Sequence, residues 1–204
     1  MIHIQGTRLH LRDFKPDDLT AYEYWLHPEH EWQRLNGPYY DKPTPAQIPE
    51  IIDRLRKRIN NSDPTPQPPT HVVIAQRTDD AFLGRVSWYW ISQETLWPAA
   101  GIVIYDPSRW RKGLGYEALG LWTQYLFDKM PEIVRLDLRT WSGNAALMRL
   151  AHKLGYEEEA RFRKARIVDG LFYDGLGYGI LREEWVTRYP GGFGKVLQQA
   201  YGDS

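Results

Sequence analysis

The chain has 204 residues, of which 42% are hydrophobic and 25% are charged, and these are the proportions of a globular protein. Lysine plus arginine and aspartate plus glutamate balance at 26 each, so the chain lacks the basic field on which non-specific nucleic-acid binding depends. Cysteine is absent, which excludes disulfides, thiolate nucleophiles and cysteine-ligated zinc. The length suits one domain, and we expect a single domain at residues 1–188 with a tail at 189–204.

The first residues lack the charged start and apolar run of a signal peptide, and no stretch approaches the ~20 apolar residues of a membrane span. We therefore expect a cytoplasmic protein whose partners include neither nucleic acid nor membrane. Aromatic residues are abundant, with nine Trp and thirteen Tyr. They are typical of a core or subunit interface built from large side chains, or of an aromatic-lined pocket for a small ligand.

In the first half of the chain, alternating apolar residues predict strands and apolar residues at helical spacing predict helices. In order, these patterns predict a strand at 7–14, a helix at 17–26, a loop at 27–43, a helix at 44–58, a proline-rich loop at 60–69, and strands at 71–77, 82–91 and 99–105.

The second half contains elements with clearer boundaries. They are a helix at 115–129 stopped by Pro131, a strand at 134–140, a helix at 144–154 that ends at Gly155, and strands at 161–168 and 171–181 joined by Asp169-Gly170. That dipeptide favours a type I′ turn and hence a β-hairpin. The order of elements predicts an α+β fold, in which helices cover the faces of one mixed sheet.

The segment Trp110-Arg-Lys-Gly-Leu-Gly-Tyr-Glu-Ala118 lies between a predicted strand and a predicted helix. Its glycines let the backbone turn sharply and approach a ligand, and the unpaired amides and dipole at the start of a helix favour an anion. Arg111 and Lys112 add positive charge, so a diphosphate is the natural occupant. The alternative is a tight strand-to-helix turn with two solvated basic residues.

Two other phosphate-binding motifs fit this segment less well. A Walker A loop needs its lysine after the second glycine, whereas Lys112 precedes Gly113. A dinucleotide-binding fingerprint would use Gly113, Gly115 and Ala118, but that motif opens the first strand–helix unit of its fold, and here three or four strands come earlier.

A wider stretch, from Tyr105 to Leu119, resembles the acyl-CoA-binding motif of the Gcn5-related N-acetyltransferase (GNAT) superfamily, with Trp110 in the first position of the motif. Residues Asn144 to Tyr156 are similar to the second motif of the RimJ/RimL-like branch, the ribosomal-protein acetyltransferases. The C-terminal hairpin and the segment after it resemble the same branch, so the resemblance covers residues 7–185.

This resemblance implies a GNAT fold, which is a mostly antiparallel sheet of about seven strands, splayed between the fourth and fifth, with about four helices on its faces. It implies acetyl-CoA as co-substrate, with no metal. The acceptor would be an amine, either a protein N-terminus or a small molecule, and a homodimer is possible. The implied acetyl-CoA contacts are the strand residues Ile102, Val103 and Ile104, the turn residues Arg111, Lys112, Gly113, Leu114, Gly115 and Tyr116, and the side chains of Arg109 and Asn144.

The positions at which relatives carry proton-transfer groups hold Leu147, Ala151 and the pair Ala99-Ala100. No general acid or base is therefore implied by the resemblance. Amine attack on a thioester needs a proton acceptor, and the candidates that remain are Asp174 on the final hairpin and Glu94 in the turn before the fourth strand.

His71 and His152 are further candidates for this base, and the alternative is that the proton passes to water. The acceptor site is expected between the first two helices, their loop and the last hairpin. Its predicted lining is aromatic: Trp32, Tyr39, Tyr40 and Tyr173. These rings could instead cap the core, and a CoA-binding sensor or scaffold without turnover stays open as a second function.

Overall fold

The computed structural model describes residues 2–60 and 67–201. The strands are β1 (His3–Gln5), β2 (Leu9–Arg12), β3 (His71–Gln76), β4 (Phe82–Ser92), β5 (Trp97–Ile104), β6 (Arg135–Trp141), β7 (Glu157–Val168) and β8 (Leu171–Leu181). The helices are α1 (Asp18–Leu26), α2 (Ile48–Asn60), α3 (Leu114–Lys129), α4 (Ala145–Leu154), α5 (Arg182–Arg188) and α6 (Phe193–Tyr201). Residues 61–66 of the predicted loop at 60–69 lie outside the described residues.

The strands form one sheet in the order β1-β2-β3-β4-β5-β6-β8-β7. Every neighbouring pair is antiparallel except β5 and β6, which are parallel. The predicted α+β class and the mostly antiparallel sheet are confirmed, and the short strand β1 raises the strand count to eight. The predicted turn between β7 and β8 is also confirmed, because Asp169 and Gly170 both have the positive φ that a type I′ turn requires.

Helices cover both faces of the sheet, because successive side chains of a strand point to opposite faces. Val86 and Ala100 belong to the larger hydrophobic cluster, which α3 to α6 complete, and we call this side the α3 face. Val103 belongs to a second cluster with residues of α1 and α2, and we call this side the α1 face. None of the helices in the described ranges is long and apolar enough to cross a membrane.

The prediction of a tail at 189–204 is wrong for the residues up to 201. Helix α6 packs on α3, and the side chain of Phe193 is fully buried there. A Cβ atom on Gly120 of α3 would lie 2.1 Å from the Phe193 ring, so this glycine provides the space that the ring fills. The segment is therefore part of the core, while residues 202–204 lie outside the described residues.

Candidate active site

A gap opens in the sheet between β5 and β6. The two strands pair at only two positions, Ala99 with Asp137 and Ala100 with Leu138, and they diverge beyond them. The predicted splay is confirmed, with the strand numbers shifted by one because β1 precedes them. The gap follows the C-terminal half of β5, which leads into the turn before α3.

The edge of β5 that faces this gap exposes backbone polar groups. Tyr105 N donates to Leu83 O at 3.0 Å, and because alternate residues of an antiparallel ladder face the partner strand, Val103 also directs its backbone toward β4. Ile102 and Ile104 direct their N–H and C=O groups into the gap. The expectation that all three residues offer their backbone to a ligand is corrected for Val103, which contributes only a side chain on the α1 face.

The turn after β5 gathers a set of backbone amides at the start of α3. Arg111 and Gly113 have positive φ values of 60° and 78°, and Gly113 is the N-cap of the helix. The N–H groups of residues 111–116 donate no hydrogen bond to any described part of the chain. Such a set of amides, together with the helix dipole, favours an anion, and the side chains of Arg111 and Lys112 are exposed beside it. Binding of a pyrophosphate here stays a prediction.

Trp110 anchors this turn to β5, a role that the sequence did not reveal. Its Nε1 donates to the carbonyl of Ile104 at 2.8 Å, so the indole uses one polar group of the gap edge. The ring packs against the second hydrophobic cluster. The turn is therefore held against the strand from which it emerges.

Glu117 and Arg8 fasten the start of α3 to the turn between β1 and β2. The fully buried Glu117 carboxylate accepts hydrogen bonds from Thr7 N at 2.6 Å, Arg8 N at 2.9 Å and Arg8 Nε at 3.0 Å. Arg8 Nη1 also donates to the carbonyl of Lys112 at 2.6 Å. These bonds join segments more than one hundred residues apart and fix the position of the amide set.

Two other predicted ligand contacts are engaged within the protein. Asn144 caps α4, because its Oδ1 accepts from Leu147 N at 3.0 Å, and its Nδ2 donates to Leu35 O at 3.2 Å. Arg109 Nη1 donates to Gln76 Oε1 at 3.0 Å. A contact of either side chain with a ligand stays a prediction.

Trp32 does not line an acceptor pocket. Its side chain is 4% exposed, and its Nε1 donates to the carbonyl of Trp25 at 2.8 Å. The ring packs edge-on against Tyr105 in the second hydrophobic cluster, with 4.9 Å between ring centroids. The alternative that such rings cap the core is what the structure shows for this residue.

The other predicted acceptor residues lie at the surface around the final hairpin. The guanidinium of Arg166 lies 4.9 Å from the Tyr39 ring centroid, and Tyr40 is 67% exposed. Tyr173 packs edge-on against Trp141, with 4.8 Å between ring centroids. The loop between α1 and α2 therefore meets the hairpin, and a role of these residues in acceptor binding stays a prediction.

Asp174 is held by the hairpin instead of being directed into the gap. Its Oδ1 accepts from Lys164 N and its Oδ2 from Arg161 Nη1, both at 2.9 Å. The hydrogen bond from the Lys164 backbone, followed by that from Arg161, lowers the pKa of Asp174, which makes it a weaker base. The carboxylate thus pins the irregular part of β7, and a catalytic role for Asp174 stays a prediction.

Glu94 lies at the tip of the turn between β4 and β5, where it is exposed. Its Oε2 accepts from Ser92 Oγ at 3.1 Å, and its own backbone N–H, followed by that hydroxyl, lowers the pKa of the carboxyl group. This turn is at the opposite end of β5 from the amide set. The structure places Glu94 as a turn residue far from the amide set, and a catalytic role for it stays a prediction.

A charged cluster on the α1 face beside the gap was not among the predicted site residues. Asp137 is 3% exposed, and its Oδ1 accepts from Arg135 Nε at 2.9 Å and Nη2 at 2.7 Å, while its Oδ2 lies 3.4 Å from Arg139 Nη2. The guanidinium carbons of Arg135 and Arg139 each lie 5.3 Å from the centroid of the Trp97 ring. The alternation Arg-x-Asp-x-Arg at residues 135–139 places three charges on one face of a strand, and this pattern could have indicated the cluster. The cluster places a carboxylate opposite Ala99, with arginines facing both oxygens.

His71 on β3 is partly buried on the α1 face, where its Nε2 accepts from Arg58 on α2 at 2.5 Å. Burial, then the charges of Arg58 and Arg85, lower its pKa from 6.5 to about 4. Its neutral form is therefore the folded form at neutral pH, and the pair is a hydrogen bond instead of an ion pair. His71 faces α2 and not the gap, so it is unsuited as the base.

We expect the free energy of unfolding to decrease as the pH falls from about 6.5 toward 4, by up to about 3 kcal/mol, since the unfolded chain binds a proton at His71 that the folded chain rejects. Urea unfolding at several pH values in this range measures the effect. A His71→Gln variant should show a shallower dependence. Parallel curves for the two proteins would contradict the assignment.

The geometry agrees with comparisons to known proteins. A family model for the acetyltransferase (GNAT) domain matches residues 8–157. The SPbeta prophage-derived uncharacterized N-acetyltransferase YokL of Bacillus subtilis is 25% identical over 112 residues, 55% of this chain, and the match spans 62% of that relative's length.

Solved structures share the fold at low sequence identity. An acetyltransferase (GNAT family) from Bacillus anthracis has a TM-score of 0.68 and 20% identity, over 89% of this chain and 99% of that one. Mycobacterium smegmatis RimJ in complex with CoA-disulfide has a TM-score of 0.72 and 17% identity, over 98% of this chain and 95% of that one.

Proposed function

Since this chain belongs to the acetyltransferase (GNAT) domain family, whose model matches residues 8–157, we propose that it transfers the acetyl group of acetyl-CoA to a primary amine by direct attack in a ternary complex. One observation carries the proposal. The sheet gap along β5 and the unpaired amides of residues 111–116 lie at the same end of one strand, so an extended thioester and its diphosphate have adjoining sites.

The residues of this site fit acetyl-CoA. The amides from Arg111 to Tyr116 would hold the pyrophosphate, and the gap-facing backbone groups of Ile102 and Ile104 would pair with the amides of the pantetheine arm. A Cβ atom on Gly113 would lie 3.1 Å from Arg8 Nη2, so the turn already fits closely around this glycine.

Trp110→Phe keeps an aromatic ring but deletes the pyrrole part of the indole, and with it the hydrogen bond to the Ile104 carbonyl. One such bond contributes about 1 kcal/mol net, so we expect acetyl-CoA affinity to fall by roughly fivefold. Isothermal titration calorimetry measures the change. Trp97→Phe is the matched control, because it deletes the same atoms while Trp97 Nε1 donates no hydrogen bond within residues 2–60 and 67–201. This variant should bind acetyl-CoA as the parent does. An unchanged affinity in Trp110→Phe would show that the anchor does not support the site.

In the proposed reaction the amine nitrogen attacks the thioester carbonyl carbon, a C–N bond forms, the C–S bond breaks, and the thiolate leaves. The backbone N–H of Ile102, which faces the gap, is placed to stabilise the oxyanion that develops on the carbonyl. Holding both substrates side by side supplies much of the acceleration.

The proton released by the amine passes to water in this proposal. Asp174 and Glu94 are held away from the gap, and both oxygens of Asp137 face arginines. We assign Asp137 a positioning role for Arg135 and Arg139. An acceptor amine of low pKa suits such a site, because more of it is neutral before attack.

For the acceptor we propose a small-molecule amine or a protein N-terminus, and for the chain a place in the RimJ/RimL-like branch. The motif from Asn144 to Tyr156 supports this branch, as does the fold of M. smegmatis RimJ. We also propose that the protein works in the cytoplasm, without a metal, and that a homodimer is its possible assembly.

Titration with acetyl-CoA tests the donor site, and thiol release from acetyl-CoA across a library of amines tests the reaction. Binding together with amine-dependent thiol release is the expected result. Absence of acetyl-CoA binding at millimolar concentration would refute the proposal.

A second function, a CoA-binding sensor or scaffold, is favoured by one observation: no carboxylate in the described residues is free to accept a proton at the gap. The same library distinguishes the two functions. Acetyl-CoA binding with no thiol release for any amine would support the sensor.

A further inference from the structure

Arg85 on β4 is a partly buried cation without an acidic partner. Its Nη1 donates to the hydroxyl of Tyr22 at 3.1 Å, and its guanidinium carbon lies 5.7 Å from the same ring. No aspartate or glutamate forms an ion pair with it within residues 2–60 and 67–201. Arg12, a buried guanidinium on the same face, is paired with both Asp18 and Asp80.

The missing acidic partner leaves the desolvation cost of the Arg85 guanidinium uncompensated. A guanidinium stays charged at any physiological pH, and removing it from water is costly unless an anion compensates it. At Arg12 the protein supplies the anions itself. At Arg85 it supplies only aromatic rings and hydroxyl groups, so the site retains an unbalanced positive charge.

A second polar group beside Arg85 is also unsatisfied. Tyr105 is fully buried, and its hydroxyl has no hydrogen-bond partner among the described residues. The Tyr105 ring centroid lies 6.3 Å from that of Tyr22, the residue that Arg85 contacts, and Tyr105 is the first cause of the raised pKa of the Arg85 guanidinium. Together with the Tyr22 hydroxyl, the two residues offer a charged donor and two hydroxyl groups at one place.

This place adjoins the gap on the α1 face. Arg85 pairs with Val103 of β5, and the next pair on the same face of the sheet, toward the point of divergence, is Ser87 with Gly101. Gly101 has no side chain, and a Cβ there would lie 2.9 Å from Ser87 Oγ. The floor between Arg85 and the gap is thus formed by a serine and a glycine, and neither carries a large side chain. A molecule on this floor has one end at Arg85 and the other at the gap.

Two other basic side chains, Arg58 and His71, lie near this floor. Arg58 lies on the far side of His71 and adds positive charge, while His71 itself is neutral. The Arg58 side chain is exposed and therefore solvated, whereas that of Arg85 is partly buried. The charge of Arg85, with the hydroxyl groups beside it, matches a singly charged planar anion, for which the guanidinium fork is suited.

Resting on the proposed acetyl transfer, we propose that the amine acceptor carries a carboxylate, which Arg85 binds together with the hydroxyl groups of Tyr22 and Tyr105. The amine at the other end of the acceptor then reaches the gap over Gly101. The acceptor is thus an amino acid or a related amino-carboxylate, and the Arg85 site selects it over neutral amines.

The experiment compares ω-amino acids, from glycine to δ-aminovalerate, with their carboxamides, which have the same length but no charge. Thiol release from acetyl-CoA gives kcat/KM for each compound, and calorimetry gives its affinity for the CoA-loaded protein. We expect a preference for the carboxylates of roughly ten- to a hundredfold at the best length, the range of a charge-assisted hydrogen bond. Arg85→Gln should abolish this preference.

Two variants separate binding from folding. Tyr105→Phe removes only the buried hydroxyl and should reduce the preference several-fold, whereas a purely structural orphan hydroxyl would leave it unchanged. Arg56→Gln is the control, because Arg56 is exposed on α2 and pairs with Asp53. It should keep the parent's preference, and titration with acetyl-CoA shows whether each variant retains its donor site.

The outcomes are distinct. Equal turnover and equal binding of carboxylates and carboxamides would overturn the inference, as would an Arg85→Gln variant that keeps the preference. If acetyl-CoA binds and neutral amines are acetylated without a carboxylate preference, the proposed function stands and only this inference fails. If acetyl-CoA does not bind at all, the proposed function fails first.

Discussion

Replacing Gly113 with valine should weaken acetyl-CoA binding by roughly a hundredfold or more. Gly113 has a φ of 78° at the N-cap of α3, and a β-branched residue in that conformation costs about 1–3 kcal/mol. The new side chain would also lie against Arg8, which holds the carbonyl of Lys112 in place. Relief of the strain would turn the amides of residues 111–116 away from their common target, so affinity is lost with the geometry.

Gly170→Val is the control for backbone strain alone. Gly170 has a φ of 76° in the turn of the final hairpin, and a Cβ there meets nothing within 4 Å. This variant should lose a comparable amount of stability and bind acetyl-CoA as the parent does. Calorimetry and urea unfolding measure the two quantities. Equal affinities for the Gly113 and Gly170 variants would show that the turn is not the donor site.

The turn at residues 110–113 and helix α3 after it could be predicted because their sequence signals are local. Gly113 and Gly155 each stand where a helix begins or ends with positive φ, and Arg111 and Lys112 stand beside the first of them. Such features depend on backbone preferences within a few residues. The same holds for the hairpin turn at 169–170.

Features that depend on distant segments could not be predicted in this way. Alternation along β5 predicts that Ile102 and Ile104 share one orientation, but only the ladder with β4 decides which residues direct their backbone into the gap. The bonds of Glu117 to the β1–β2 turn join positions more than one hundred residues apart. The countercharge missing at Arg85 is likewise visible only when every neighbour is in place.

The sequence predicts a tail at the C-terminus because Pro190-Gly191-Gly192 is a turn signal that also marks loose chain ends. The helical signal after it is short. Phe193 and Leu197 are four residues apart, which places both on one face of a helix, and this spacing is what indicates α6 in the sequence. A two-turn pattern predicts little unless the glycine across from it, Gly120, is known to leave room.

Phe193→Ala should lower the free energy of unfolding by about 3–5 kcal/mol, the usual cost of deleting a fully buried phenylalanine. The ring packs against Trp185, Tyr189 and Tyr116, at centroid distances of 5.7, 4.9 and 5.3 Å. Gln198→Ala, on the exposed side of α6, is the control and should change stability by less than about 0.5 kcal/mol. Urea unfolding of both variants measures the difference, and a Phe193 variant as stable as its control would mean that α6 is a tail after all. Because Tyr116 belongs to the first turn of α3, a loss of packing beneath it should also weaken acetyl-CoA binding, which would connect the end of the chain to the donor site.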